Sequence, residues 1–163
     1  MQQLVEVALH ALSPGMNEPF TAVTCIDRLG EGLALLARRQ LPSAARRDDQ
    51  GRLRVVAPPQ TFVTLLRDAV APIAIFAGPN PAISERLLRT LAMLAGAAQR
   101  SEDLAVVGEQ AGIVWREADR QIEDPLLRSQ VERQYRRALA AADRAGGDAR
   151  PLAGEPRPAA GHE

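Results

Sequence analysis

The chain has 163 residues, of which 46% are hydrophobic, 25% charged and only 3% aromatic. This is the make-up of one globular domain, able to bury about two thirds of its unfolded surface, and its scarce aromatics favour packed helices over a sandwich or barrel. Twenty basic residues, all arginine, balance twenty acids, so no net field recruits nucleic acid or an anionic membrane, and the single cysteine excludes an intramolecular disulfide or a cysteine-rich metal site.

Residues 2 to 12 carry Leu4, Val5, Ala8, Leu9 and Leu12 at helical spacing. Pro14 and Gly15 end that helix, because proline disfavours helical geometry in the residue before it and glycine accepts unusual dihedrals. Asn17 is placed to cap a second helix and Pro19 suits its first turn, where a missing N–H costs nothing. That helix is expected to run to about Arg39, with Val23, Ile26, Leu29, Leu33 and Leu36 on one face.

Residues 41 to 60 break the helical pattern. The cluster Arg46-Arg47-Asp48-Asp49-Gln50-Gly51 reads as a turn, and Leu53-Arg54-Val55-Val56 as a short strand that Pro58-Pro59 stops. A small hairpin excursion is therefore expected near residues 46 to 57.

Four more helical stripes follow. Phe62, Leu65, Ala69, Ile73 and Phe76 form the first, and Ile83, Leu87, Leu91, Leu94 and Ala98 the second, opened by Asn80-Pro81. Leu104, Val107, Ala111, Val114, Ala118 and Ile122 form the third, with Trp115; Leu127, Val131, Tyr135, Ala138 and Ala142 form the last, opened by Asp124-Pro125. A cap residue followed by proline thus recurs as a helix start, although no other internal repeat is visible. Short connections favour antiparallel neighbours. The fold class predicted is all-α, a bundle of about six helices over residues 1 to 143. Residues 144 to 163, rich in Gly, Pro, Ala and charge, are expected to be a disordered tail. The longest nearly apolar run, Ala69 to Gly78, is about half a membrane span and contains Pro72, so no transmembrane helix is expected.

The loop from Ser13 to Thr21 is the most distinctive segment. Unpaired N–H groups at a helix start favour anions, and Ser13, Asn17, Thr21 and Thr24 add side-chain donors, with Asp27 one turn further on. These five residues are the candidate ligand site. The plainer reading makes the loop a rigid corner in which Asn17 caps, Ser13 bonds locally and Glu18 complements the dipole while repelling an anion. Glu6 and His10 share one face of the first helix, but two ligands fall short of a zinc site, and His162 is far away in the tail. Cys25 would need a base such as His10 and an electropositive setting such as Arg28 to act as a nucleophile; as a small buried residue it needs neither. Gly30-Glu31-Gly32, Gly108 and Gly112 lack the strand context of a phosphate loop and read as places where another helix comes close. The basic patch Arg133, Arg136 and Arg137 lacks interleaved aromatics for base stacking, so nucleic acid is not an expected partner. No catalytic residue, metal or cofactor is assigned.

The run Gln3-Leu4-Val5-Glu6-Val7-Ala8-Leu9, then Ala11-Leu12-Ser13-Pro14-Gly15, Asn17, Pro19, Thr21-Ala22 and Cys25-Ile26-Asp27-Arg28-Leu29 resembles a bacterial membrane-protein family, that of domain of unknown function 2254. Gly51-Arg52-Leu53-Arg54-Val55, Pro58-Pro59 and Asn80-Pro81 extend the likeness, which covers roughly residues 2 to 140. Glu6 and Glu18 stand where the family pattern suggests Asp. The resemblance implies transmembrane helices ahead of this region, so the chain reads as the carboxy-terminal part of a longer protein, by a truncated gene or a misplaced start. It carries no activity to transfer. The expected role is a non-enzymatic module that packs against the missing amino-terminal membrane region or self-associates, Leu4, Val5 and Leu9 having lost their upstream partner. The rival is a ligand-sensing or enzymatic module built on residues 13 to 24. The chain alone would be cytoplasmic, while its family sits in the bacterial inner membrane.

Overall fold

The computed structural model describes residues 1–39, 41, 44–58 and 60–148. Six helices and one small hairpin make up its regular structure: α1 (Gln2–Ala11), α2 (Pro19–Ala37), β1 (Ala45–Arg47), β2 (Leu53–Val56), α3 (Phe62–Ala77), α4 (Pro81–Ala97), α5 (Ser101–Gln121) and α6 (Pro125–Asp148). The all-α expectation holds. The last helix continues to Asp148, beyond the end of its apolar stripe. Pro59, His162 and the tail from residue 149 lie outside the described residues.

The helices form two layers. α1, α3 and α5 lie side by side in one, and α2, α4 and α6 in the other. Strand-like alternation of direction follows from the pairings. Asp27 meets Arg86, and Gly30 meets Thr90, so α2 and α4 run the same way. Arg67 meets Glu109 and Gly78 meets Glu117, so α3 and α5 also run together. Trp115 stacks on Tyr135 with ring centroids 5.9 Å apart, and Asp119 faces Arg128, so α5 and α6 are antiparallel. The molecule is therefore three helical hairpins stacked in a row, α1–α2, α3–α4 and α5–α6. Their three tight corners share one end of the bundle, and the β-hairpin sits at the other, between the end of α2 and the start of α3.

Buried side chains interlock between and within the layers. α4 touches α2, α3, α5 and α6, and its Ile83, Leu88, Leu91, Leu94 and Ala95 are fully buried. Two stripes depart from expectation. On α3 the buried face is Phe62, Leu66, Ala69, Val70, Ile73 and Ala77, while Leu65 is half-buried and Phe76 is 46% exposed. That helix is apolar nearly all round, so periodicity alone does not select its inner face. On α6, Leu127 in the first turn is 37% exposed. On α1, Val5 is buried, and Leu4 and Leu9, half-buried, pack against the core beside α2 and α3, while Val7 is exposed.

Candidate functional site

The corner between α1 and α2 is built from backbone hydrogen bonds. The carbonyl of Ser13 accepts from the N–H of Met16 at 3.1 Å and of Asn17 at 3.0 Å, and the N–H of Glu18 reaches back to the carbonyl of Ala11 at 2.8 Å. Reversing the chain this tightly puts Asn17 at φ 45°, the left-handed region that asparagine tolerates better than most residues. This corrects the capping expectation: Glu18, not Asn17, occupies the cap position of α2, and its side chain makes no cap bond. Asn17 instead serves the turn itself, one place ahead of the cap.

The remaining donors are engaged locally. Ser13 Oγ donates to the carbonyl of His10 at 2.7 Å, and Thr24 Oγ1 to the carbonyl of Phe20 at 3.0 Å. Thr21 Oγ1 donates to Glu18 Oε2 at 3.1 Å, which places a carboxylate at the helix start where an anion would bind. Asp27 points elsewhere. Its two oxygens accept from Nε and Nη2 of Arg86 on α4, an interhelical pair with side chains 33% and 40% exposed respectively. Around that pair Glu31, Arg89, Thr90 and Met93 line an open groove between α2 and α4. The five candidate residues thus separate into one corner and one strut and do not converge.

The nucleophile arrangement fails on electrostatics. Cys25 is buried and unpaired in the core, and burial pushes its thiol pKa up, the opposite of what a thiolate nucleophile needs. Arg28 is engaged with Glu31 at 2.9 Å, and His10 is exposed. Among the described residues no group of three or more His, Cys, Asp or Glu is placed to hold a metal ion.

Three polar groups that periodicity does not mark are buried. Ser84 Oγ donates to the carbonyl of Ala77 at 3.2 Å, locking the α3–α4 corner. Asp103 pairs with Arg100 at 3.0 Å through one oxygen, while its Oδ1, like Oε1 of Gln110, finds no partner among the described residues. Burial pushes the Asp103 carboxyl pKa up, against the pull of Arg100. Both residues sit on the inner side of α5, one position ahead of Leu104 and Ala111 in the apolar stripe, so the stripe itself does not mark them.

A family described as predicted membrane protein (DUF2254) matches residues 1–93, more than half of the chain. The chain belongs to this family. Uncharacterized proteins of Mycobacterium tuberculosis and Mycobacterium bovis are 32% identical to it over 146 residues, which is 90% of this chain and 28% of theirs. The chain thus spans little more than a quarter of the length of these curated relatives. No solved structure matches it. No helix among the described residues is long and apolar enough to cross a membrane. In this family member, the matched region covers α1 to most of α4, including the corner from Ser13 to Ala22 and the whole β-hairpin.

Proposed function

We propose that this chain is a non-enzymatic, self-associating helical module of a membrane protein, held on the cytoplasmic side. One observation carries the reading. Large apolar side chains crowd the corner end of the bundle: Phe20 is 86% exposed, Leu126 65%, Ile75 57%, Phe76 46%, Met16 45% and Leu127 37%. Each lies within about one helical turn of a corner.

A second copy suits this end better than the membrane region does. The apolar face of α1, the natural seat for an upstream membrane helix, packs in part against α2 and α3. The corner end also carries Glu18, Glu123 and Asp124 among its exposed residues, a poor match for anionic lipid. At the α1–α2 corner the hydroxyls of Ser13, Thr21 and Thr24 are engaged in local hydrogen bonds, which favours a structural role. A lone, buried, free cysteine accords with a reducing compartment.

Sedimentation velocity over a concentration series tests the reading. The wild-type chain is expected to associate reversibly, and the Phe20→Ser/Leu126→Ser double variant to remain monomeric with unchanged helical circular dichroism. A wild-type chain that is monomeric at every concentration overturns it.

A further inference from the structure

Charge balance over the whole chain conceals a segregation that the fold makes spatial. Residues 38 to 56 hold six arginines and two aspartates, net +4, which leaves the other 144 residues at net −4. This basic segment runs from Arg38 and Arg39, at the exposed end of α2, into the β-hairpin. The hairpin lies at the end opposite the three corners.

The hairpin has no substantial packing against any helix, and every residue of both strands is exposed. It is held together from within. Asp48 Oδ1 accepts from the N–H groups of Gln50 and Arg52 at 3.0 and 2.9 Å, and Gly51 takes φ 77° to close the turn. Its exposed face is not purely polar: Val56 is 70% exposed, and Leu53 and Val55 are each 51% exposed. Antiparallel register puts Arg46 beside Val55 and Arg47 beside Leu53, with an irregularity between the two arginines. Aliphatic side chains flanked by guanidiniums on flexible stems match a boundary that is apolar below and anionic above.

We propose that this hairpin docks on an anionic lipid surface by its β2 edge, with Leu53, Val55 and Val56 at the headgroup boundary and Arg46 and Arg47 contacting lipid phosphates, Arg52 and Arg54 being paired with Asp48. Three observations favour lipid over nucleic acid. Exposed aliphatic residues gain nothing from a phosphate backbone, the segment has no aromatic residue on which a base could stack, and the family is one of predicted membrane proteins. A two-stranded hairpin without a covering layer is marginally stable alone, and an apolar boundary supplies that layer. The site is independent of the corner end, so the two readings stand or fall separately.

Co-sedimentation of the full chain with vesicles tests the proposal, using phosphatidylcholine alone and phosphatidylcholine mixed with phosphatidylglycerol. Binding is expected only to the mixed vesicles, and it should weaken at high salt. Arg46→Glu/Arg47→Glu should reduce affinity at least about tenfold, given the attraction of each basic group near an anionic leaflet. Val55→Ser/Val56→Ser should also reduce it, and both variants should keep the wild-type helical circular dichroism, because the hairpin does not pack on the helices. Phe20→Ser/Leu126→Ser should bind lipid as wild type does. Failure to bind mixed vesicles overturns the proposal. So does binding that the hairpin variants leave unchanged, or an equal affinity for duplex DNA that the valine variant does not alter.

Discussion

Two glycines of α2 show how one residue's surroundings decide its tolerance. A Cβ added at Gly30 would lie 2.6 Å from Cγ2 of Thr90, a stiff β-branched side chain on α4, whereas one at Gly32 would meet nothing within 4 Å. Gly30→Ala should therefore destabilise by about 1–3 kcal/mol through overpacking. Gly32→Ala should stabilise by about 0.5–1 kcal/mol through helix propensity alone. Urea denaturation of the two variants checks the contrast, and equal effects would contradict it. Asp103 sets a second residue-scale expectation. Its folded-state pKa lies above the unfolded value, so ionisation costs stability at neutral pH, and that cost fades as pH falls through the raised value. Asp48 and Glu109 run the other way, held down chiefly by the N–H of Arg52 and the side chain of Arg67. Their stabilisation is full above their unfolded pKa values and is lost as pH falls through the folded ones. Asp103→Asn should raise Tm at neutral pH, and its advantage should shrink in acid. A pH-independent difference between the two proteins would rule out ionisation of Asp103 as the cause. The glycine contact was legible in sequence as a kind of place, but its partner Thr90 was not, since nothing local encodes which helix arrives.

At the scale of elements, three helix starts share a polar residue followed by proline, yet only two use the side chain as a cap. Asn80 Oδ1 accepts from the N–H of Ala82 at 3.1 Å, and Asp124 Oδ1 from that of Leu126 at 2.7 Å. Glu18 makes no such bond, its longer side chain being turned to Thr21 instead. Asn80→Ala and Asp124→Ala should each cost about 1 kcal/mol. Glu18→Ala should cost much less, and thermal melts of the three variants rank them. α3 starts differently, with Thr61 and Thr64 in a reciprocal capping box that needs no proline. Helix positions were readable from periodicity because a buried stripe must repeat every 3.6 residues. Boundaries and facing directions were less so. Leu65 and Phe76 show why: on a helix apolar all round, the neighbour decides the inner side.

Over the whole molecule, the recurring proline starts prove to be a structural repeat without a sequence repeat. Each marks the second helix of a hairpin, and stacking three hairpins brings the corners to one end, as in other arrays of helix pairs. The β-hairpin interrupts this stack only in sequence. Replacing residues 44 to 58 with a flexible linker of equal length should leave the helical signal intact and move Tm by no more than about 2–4 °C, a shift of around 1 kcal/mol. Loss of the cooperative transition would show that the hairpin supports the core after all. Composition and periodicity determined the all-α class, the six helices and the excursion, because backbone geometry and burial impose local, repeating demands on side chains; the family came instead from the likeness of particular residues around the first corner. Tertiary structure alone decided that Asp27 braces α4 rather than joining Ser13, Asn17, Thr21 and Thr24, that α1 packs in part against α2 and α3, and that the net-positive segment of a neutral chain lies at the end away from the corners. Those outcomes depend on which helices lie side by side and which way they run, and residues far apart in sequence meet only once the hairpins have stacked.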